Sequence, residues 1–321
     1  MENIKININD YINDHSQNII DDLIDNGGMY GPSNARKLIY KYNTNLFNNN
    51  EFFKSIKSEI TKAKVYKKEF KVITKKQYET TTDCINEDCA KVGYNLIKEG
   101  YNPVILNLAS NVKPCGGYDK GTSAQEESLC YMSTLSQSLY QFGNIKLKCV
   151  KECGVKNIPG VYPLDINYGG VYSPNVLFFR NNIDKKYSMR ENPFFCSIVT
   201  VASLSNKIRN EYTVDENKYC NEDGTLNSEG LEIEQNKIRT IYRIALDNNH
   251  DSIVLGAFGC GVYNLLPKEI SKLFYDILQE EEFKNKFKKV VFAIYERKRR
   301  GIVIGKEGKF KPFYDLFLDN N

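Results

Sequence analysis

Apolar residues recur with two different periods along the chain, and each period predicts a different kind of element. In the first 65 residues the spacing is helical, in NARKLIYKY and again in EFFKSIKSEITKA. The polar stretch NTNLFNNN lies between these segments and predicts a break between two helices. Residues 27–34, GGMYGPSN, predict a turn in which Ser33 or Asn34 is the N-cap of the next helix.

From residue 66 onward, short apolar runs alternate with segments of helical periodicity. The predicted strands are EFKVITK, PVILNL, NVLFFR, CSIVTVA, SIVLGA and KVVFAIY. The predicted helices are TTDCINEDCAKVGYNLIKE, AQEESLCYMSTLSQSLYQF, LEIEQNKIRTIYRIALDNN and PKEISKLFYDIL. This alternation predicts a three-layer α/β/α domain. We expect a single compact unit with a helical extension over residues 1–65, a main domain over 66–321, and an insertion or long loop over 207–228.

Composition limits the classes of protein to consider. The 321 residues are 41% hydrophobic and 26% charged, as in globular proteins. No stretch approaches the roughly 20 apolar residues of a membrane span, and MENIKININD lacks the pattern of a signal peptide. Nine cysteines scattered singly indicate free thiols in a reducing compartment. We therefore expect a cytoplasmic or nuclear protein.

The net charge of +4 is too small to indicate a nucleic-acid partner by itself. The basic residues are nevertheless clustered. The two clusters are Lys64, Lys67, Lys68, Lys71, Lys75 and Lys76, and Arg297, Lys298, Arg299 and Arg300. Such runs can bind polyanions, although they are more often solvated faces.

Two glycine-rich segments follow predicted strands at the point where ligands bind in open α/β sheets. ASNVKPCGGYDKG follows PVILNL, and FGCGVYNLLP follows SIVLGA. Glycines there let backbone N–H groups approach phosphate oxygens. Neither segment has the Lys-Ser/Thr ending of a nucleotide-hydrolysing loop or the GxGxxG pattern. Two such loops suit a diphosphate, and plain strand-to-helix turns are the alternative.

Two neighbouring acids, Glu126 and Glu127, lie in the first turn of the helix after the first glycine loop. A structural explanation is a capping box that pairs Thr122 with Gln125, or Ser123 with Glu126. A functional explanation is acid–base catalysis on a glycosidic bond, in which a carboxylic acid protonates the leaving oxygen. The spacing alone leaves both explanations open.

Other catalytic chemistries find less support in the sequence. The two histidines, His15 and His250, stand in polar surroundings, which argues against a histidine-based triad. Neither the CVKEC segment nor Cys84 with Cys89 has the second pair that a zinc site requires. Buried thiols explain these cysteines better, and we expect no metal site.

NLASNVKPCGGYDKGTSAQEESL resembles the signature of bacterial-type poly(ADP-ribose) glycohydrolases, a branch of the macrodomain superfamily. VLGAFGCGVYNLLP resembles the second phosphate loop of that family, and GGVYSPNVLFFR and IVTVASLSN resemble segments between them. The similarity runs from about residue 70 to residue 295, and the first 65 residues resemble the helical extension of the family. The resemblance implies a macrodomain-like fold with a mixed central sheet and no cofactor.

The resemblance also assigns roles to residues. Glu127 falls on the catalytic acid, which protonates the departing oxygen of the ribose–ribose bond and then activates water. Glu126 and Asn107 fall on positions that orient the distal ribose. The remaining ligand-binding residues that it implies are Gln125, Gly116, Gly117, Gly259, Cys260, Gly261, Val262 and Tyr263.

One position departs from the pattern of the family. Cys115 stands where the first glycine of a triple-glycine loop belongs. If that position has a positive φ, a Cβ there costs about 1–2 kcal/mol or crowds the sugar. We expect altered affinity or rate rather than lost activity, because both glutamates are present.

The leading hypothesis is therefore an enzyme that removes ADP-ribose units from poly(ADP-ribose) on modified proteins. One alternative is hydrolysis of single ADP-ribose groups on protein or nucleic acid. A second is a macrodomain that binds ADP-ribose without catalysis, which Cys115 would permit. A third is an α/β domain that binds phosphosugars or nucleotides without a preference for ADP-ribose.

Overall fold

The computed structural model describes residues 14–206, 218–296, 298–299, 302–303 and 308–318. Its contacts divide the chain into two compact units, each built from three segments. The first unit comprises Met1–Lys64, Val112–Pro163 and Ser173–Ile198. The second comprises Val65–Asn111, Leu164–Tyr172 and Val199–Asn321. Among the described residues, no helix combines the length and apolar character needed to cross a membrane.

The first unit is mainly helical. Its helices are α1 (Asp14–Asn26), α2 (Gly31–Asn49), α3 (Glu51–Ile60), α5 (Gln125–Met132), α6 (Leu135–Leu139) and α7 (Lys148–Glu152). The predicted break between two helices is present but much shorter than NTNLFNNN, since α2 continues to Asn49. A single residue, Asn50, separates α2 from α3, and its side chain accepts hydrogen bonds from the N–H groups of Phe52 and Phe53.

The start of α2 also differs from the prediction. The N-cap is Tyr30, not Ser33 or Asn34, and it makes no side-chain capping bond. A proline in the first turn compensates, because its ring fixes a helical φ and it lacks an N–H that would need a partner.

The helix predicted over AQEESLCYMSTLSQSLYQF is interrupted in the middle. Ser133 ends α5 in an extended conformation, with φ −145° and ψ 178°, and forms an antiparallel bridge with Phe178. Helix α6 then begins, and a 3-10 turn over Tyr140–Phe142 follows it. A backbone partner distant in sequence therefore overrides the local helical periodicity.

A seven-stranded sheet dominates the second unit. Its strands are β1 (Lys64–Tyr66), β2 (Thr81–Ile85), β3 (Pro103–Leu108), β4 (Gly170–Arg180), β5 (Met189–Val201), β6 (Ser252–Leu255) and β7 (Lys289–Ala293). The strand order is β1-β4-β5-β3-β6-β7-β2, and β3, β6, β7 and β2 pair in parallel. The larger parts of β4 and β5 belong to the first unit. The prediction of an α/β fold with a mixed sheet is confirmed.

Two predictions at the start of this unit are wrong. EFKVITK is not a strand, because residues 67–80 form neither helix nor strand, although Phe70 and Val72 pack against the core. TTDCI is strand β2 rather than helix, since its β-branched residues pair with Lys289–Ala293. Helix α4 (Cys89–Lys98) begins only after Asp88, whose carboxylate accepts from the N–H groups of the first turn.

Three more helices pack in the second unit. They are α8 (Ser228–Asp247), α9 (Pro267–Leu278) and α10 (Phe310–Leu318). The predicted inward stripe of α8 is confirmed, since Ile238, Ile241, Tyr242 and Ala245 are all fully buried. Helix α10 is not among the predicted helices. Lys298–Arg299 and Ile302–Val303 form a short antiparallel pair, β8 and β9. Residues 207–217 of the predicted insertion lie outside the described residues, as do Arg297 and Arg300 of the second basic cluster.

His250 is buried, contrary to the polar surroundings inferred from its neighbours in sequence. Only 4% of the residue is exposed. Its Nδ1 lies 3.0 Å from the Asn102 carbonyl oxygen, and its Nε2 lies 3.0 Å from the Tyr172 hydroxyl. A neutral ring satisfies both contacts by donating to the carbonyl and accepting from the hydroxyl. Burial lowers the pKa of His250 to about 4.

We expect His250 to make the stability of the fold depend on pH. The folded-state pKa of about 4 lies below the ordinary histidine pKa of 6.5, so the unfolded chain binds a proton that the folded chain excludes. This stability is present above pH 6.5 and is lost as the pH falls toward 4. In urea titrations at pH 7 and pH 5, the wild type should lose roughly 2 kcal/mol more than His250→Gln. Equal losses for the two proteins would show that His250 is not protonated on unfolding.

Candidate active site

In the first unit, the glycine loop before α5 is a series of tight turns. The N–H of Gly116 donates to the Lys113 carbonyl, and the N–H of Tyr118 donates to the Cys115 carbonyl. Two consecutive residues have left-handed backbone conformations, Cys115 with φ 62° and Gly116 with φ 50°. This conformation leaves the N–H groups of Cys115 and Gly117 for partners outside the loop.

Those partners are the two neighbouring glutamates. Glu126 and Glu127 are 3% and 7% exposed. Glu126 Oε1 accepts from the Cys115 N–H at 3.1 Å, and Glu127 Oε1 accepts from the Gly117 N–H at 2.8 Å. The predicted capping box is wrong, because α5 has Ala124 as its N-cap and no side-chain capping bond. The carboxylates bind the preceding loop instead, where backbone donors and the helix N-terminus both favour negative charge.

The second oxygen of Glu127 is the distinctive atom of this arrangement. Glu127 Oε2 is buried and has no hydrogen-bond partner among the residues that the structure describes. A buried polar atom without a partner costs about 1–3 kcal/mol. Such an atom is typical of a site where a ligand supplies the missing partner.

Gly116 is where the two carboxylates converge. A Cβ added to this residue would lie 2.5 Å from Glu127 Oε1 and 3.2 Å from Glu126 Oε2. Only glycine fits here, since the backbone also has a positive φ. Gln125 is the first residue of α5 and is half-buried.

Cys115 has the positive φ that the sequence analysis considered, so the strain at this position is present. The residue is completely buried, and its thiol hydrogen-bonds to the Cys130 thiol. Burial raises the pKa of Cys115 well above its usual value. The thiol is therefore protonated and unreactive.

The second unit contains the other residues that the resemblance singled out. Asn107, near the end of β3, is fully buried and donates from Nδ2 to Thr200 Oγ1 at 3.2 Å. The second glycine loop follows β6. Tyr263 anchors it, because its carbonyl accepts from the Asn206 N–H at 2.7 Å and its hydroxyl donates to the Ala109 carbonyl at 3.3 Å. The loop is thus attached to the segments that follow β3 and β5.

The tip of this loop is open. Gly261 and Val262 are exposed, and within the described part of the chain their N–H groups donate to no acceptor. Cys260 is buried, and its thiol lies 3.3 Å from the Phe258 carbonyl oxygen. Lys309 was not predicted as a site residue, but its Nζ would lie 3.8 Å from a Cβ on Gly261. Two available N–H groups and a nearby ammonium make this tip suited to a phosphate.

Helix α8 supports the segment to which the second loop is attached. Glu234 is fully buried, and its carboxylate accepts from Ser203 Oγ at 2.6 Å and from the Leu204 N–H at 3.0 Å. Lys237 Nζ donates to the Ala202 carbonyl at 2.6 Å. Burial raises the pKa of Glu234 and lowers that of Lys237 to about 8.

The sequence contains a signal for Glu234 and Lys237 that was missed, namely that both are charged residues in the apolar stripe of a helix. Glu234 lies four and seven residues before Ile238 and Ile241, on the apolar stripe of α8. A charged residue on a buried stripe needs a partner.

No group of three or more potential metal-binding side chains occurs among the residues described.

The fold is shared with solved bacterial structures. Poly(ADP-ribose) glycohydrolase (PARG) from Thermomonospora curvata matches with a TM-score of 0.64 and 19% identity, over 87% of this chain and 98% of that one. The same enzyme bound to the inhibitor ADP-HPD matches with a TM-score of 0.63 and 19% identity, over 88% and 100%. PARG from Deinococcus radiodurans in complex with ADP-ribose matches with a TM-score of 0.55 and 21% identity. The match covers 76% of this chain and 86% of that one. The chain thus has the macrodomain-like α/β fold that the resemblance implied.

A narrower assignment comes from the family comparison. Residues 37–181 match the family described as "Microbial-type PARG, catalytic domain". The match confirms the family resemblance and the class of enzyme that it implies, a glycosidase. It includes the first glycine loop and both glutamates, and it begins within α2, earlier than the expected residue 70. No curated protein matches the sequence significantly.

We expect Glu234→Ala to destabilise the protein. The substitution removes the acceptor of the Leu204 N–H and the nearer of two acceptors of the Ser203 hydroxyl, which keeps only the Leu204 carbonyl at 3.1 Å. The free energy of unfolding, measured by urea titration, should fall by roughly 2 kcal/mol or more. Glu232→Ala, at an exposed position on the same helix, is the matched control and should change it by less than about 0.5 kcal/mol. A loss no larger than the control's would refute the supporting role of Glu234.

Proposed function

We propose that this protein is a poly(ADP-ribose) glycohydrolase that uses Glu127 as its general acid and base. The observation that carries the proposal is the state of the Glu127 carboxylate. One oxygen is fixed by the Gly117 N–H, and the other is buried and has no partner among the described residues. A carboxyl group held in this way presents one oxygen to a substrate with a defined orientation.

The two oxygens of the Glu127 carboxyl group have different roles in this proposal, one in hydrogen bonding and one in proton transfer. Oε1 accepts the Gly117 N–H and continues to accept it in either protonation state. Oε2 is therefore the oxygen that carries the proton. It donates that proton to the departing oxygen of the ribose–ribose bond as the bond to the anomeric carbon breaks. The resulting carboxylate then removes a proton from water as the water oxygen attacks the same carbon, which regenerates the acid.

The other residues bind and orient the substrate in this proposal. Glu126, fixed by the Cys115 N–H, accepts a hydrogen bond from a ribose hydroxyl. Asn107 orients the distal ribose, and Gln125 borders it. Gly116 and Gly117 of the first loop and Gly259, Cys260, Gly261 and Val262 of the second bind the diphosphate, to which Gly261 and Val262 can offer their N–H groups, and Tyr263 packs beside the ribose. Lys309, close to Gly261, adds positive charge where phosphate oxygens would bind.

The decisive experiment measures ADP-ribose released from automodified poly(ADP-ribosyl)ated protein. The wild type should release ADP-ribose, and Glu127→Gln should lower the rate about 10²-fold or more while ADP-ribose binding persists. Glutamine retains an acceptor for the Gly117 N–H but has no proton to donate in acid catalysis. Glu191→Gln, an exposed glutamate in the same unit, is the matched control and should leave the rate unchanged.

Each contrary outcome has a distinct meaning. Binding of ADP-ribose without release by the wild type would make the protein a non-catalytic reader. Undiminished release by Glu127→Gln would refute the assignment of the acid. Release only from singly modified protein or nucleic acid would replace the polymer with a single ADP-ribose group as substrate.

Gly116→Ala should also abolish most of the activity. The new methyl group would overlap Glu127 Oε1 and press on Glu126, so both carboxylates must move. We expect the release rate to fall about 10²-fold. Gly160→Ala is the matched control, because Gly160 also has a positive φ, 80°, but nothing within 4 Å of the added Cβ. Both variants carry a similar backbone strain, so equal rates would mean that crowding of the glutamates is harmless.

The proposed partners are ADP-ribose and poly(ADP-ribose) on modified proteins. Exposed lysines over residues 67–76 could contact a polyanionic chain, and nucleic acid stays an alternative partner. We propose a cytoplasmic or nuclear location, because all nine cysteines are free and eight of them are buried.

A further inference from the structure

Arg180, the last residue of β4, is buried in an unusual way. Its side chain is 1% exposed, and burial lowers the pKa of its guanidinium to about 10, so it is charged at neutral pH. It forms no ion pair with the carboxylates of the described residues. Instead its Nε donates to Asn43 Oδ1 at 2.9 Å, and one terminal nitrogen donates to the Tyr187 carbonyl at 3.1 Å. A buried cation without a counter-charge is costly, so its position requires an explanation.

Asn43, on α2, receives the hydrogen bond from Arg180 and is completely buried. Because a guanidinium can only donate, the amide must direct its oxygen toward Arg180 and its NH₂ group the other way. Nδ2 then donates to the Tyr131 carbonyl at 3.0 Å and to the Tyr118 hydroxyl at 3.2 Å. The cation therefore fixes which way the amide faces.

The two acceptors of Asn43 belong to the two parts of the acid-bearing arrangement. Tyr118 directly follows Gly117, whose N–H binds Glu127, and Tyr131 lies on α5 with both glutamates. The Tyr131 hydroxyl lies 3.1 Å from the Tyr118 carbonyl oxygen, and the two rings pack at an interplanar angle of 54° with their centroids 4.9 Å apart. Asn43 thus bridges the loop that binds the carboxylate and the helix that carries it.

Helix α2 also holds the far end of the same loop. Arg36 Nε donates to the Gly121 carbonyl at 2.8 Å, and the Ser33 hydroxyl lies 3.2 Å from the same oxygen. The Tyr40 ring packs edge-on against Tyr118 at 5.1 Å. One helix therefore contacts the loop at both ends, and only Asn43 among these residues also reaches α5 by a hydrogen bond.

We propose that Arg180 and Asn43 are positioning residues for Glu127. The buried charge sets the orientation of the Asn43 amide, and the amide links the Tyr118 hydroxyl, in the residue after Gly117, to the Tyr131 carbonyl of α5. This inference rests on the proposed function, because its effect on rate requires Glu127 to be the catalytic acid. It gives part of the N-terminal helical segment a direct role in the geometry of the reaction.

Asn43→Asp tests the proposal with almost no change in shape. The new carboxylate still accepts from Arg180, but it cannot donate to the Tyr131 carbonyl. We expect kcat for ADP-ribose release to fall about 10- to 10²-fold, while KM and ADP-ribose affinity change by less than about twofold. The control is Asn49→Asp, on the exposed end of the same helix, where the amide donates to Asn45 Oδ1. It should leave kcat unchanged.

A second variant and a second measurement separate positioning from general stability. Arg180→Met removes the charge that orients the Asn43 amide, so it should lower kcat without a matching change in ADP-ribose affinity. Hydrogen exchange at the Gly117 N–H should accelerate in Asn43→Asp but not in Asn49→Asp. If Asn43→Asp lowers kcat and ADP-ribose affinity in parallel, and hydrogen exchange accelerates throughout the protein, the role of Asn43 is merely structural. That result would overturn the proposal.

The exchange measurement also distinguishes the two possible failures. If the wild type releases no ADP-ribose, the proposed function is wrong, and so is the proposed effect of Arg180 and Asn43 on catalysis. If the wild type is active but Asn43→Asp matches it in kcat and in Gly117 exchange, the positioning role alone is wrong.

Discussion

The hydrogen bonds from the backbone of Cys115 and Gly117 to two adjacent carboxylates are the constraint on which the first unit depends. They require left-handed φ values at Cys115 and Gly116, and no Cβ at Gly116. They also require α5 to begin where its first turn faces the loop, without a side-chain cap of its own. Hydrogen bonds to charged acceptors contribute about 1.5–3 kcal/mol each. The strain at Cys115 costs about 1–2 kcal/mol, so a single such bond offsets it. A non-glycine residue is therefore compatible with the loop at this position, whereas at Gly116 it is not.

The sequence predicted the parts of this structure that depend on local periodicity. PVILNL and PKEISKLFYDIL coincide with β3 and α9, because a continuous apolar run and an amphipathic stripe each identify their element without further information. The errors occur where a partner distant in sequence determines the secondary structure of a segment. Thr81–Ile85 is a strand because β7, about 200 residues later, pairs with it. Ser133 leaves its helix for a bridge with Phe178, which no local pattern indicates.

The candidate site was predictable to a similar degree. Glu126 and Glu127 could be singled out as candidates because the residues of their motif stand close together in the chain. Their supporting residues could not, since Arg180 and Asn43 are 137 positions apart and each looks ordinary in its own segment. The capping box was a reasonable local hypothesis, but it failed because the carboxylates found backbone donors ten and eleven residues earlier. Local rules identify which groups need partners, and only the fold determines which partners they find.

The buried charges of the two units share a feature that bears on their purpose. Arg180 and Lys237 donate to backbone carbonyls, and Glu234 accepts from a backbone N–H, so each charge binds irregular backbone. Apolar residues of similar volume in place of buried charges are often neutral or stabilising, so stability alone does not account for such groups. Irregular segments, however, lack the ladder of hydrogen bonds that fixes a strand, and apolar packing does not specify the orientation of a peptide group. A charged group does, because its hydrogen bonds are directional and strong in a low-dielectric interior. The contribution of these charges is therefore the precision with which they hold the loops that carry the candidate catalytic and phosphate-binding groups.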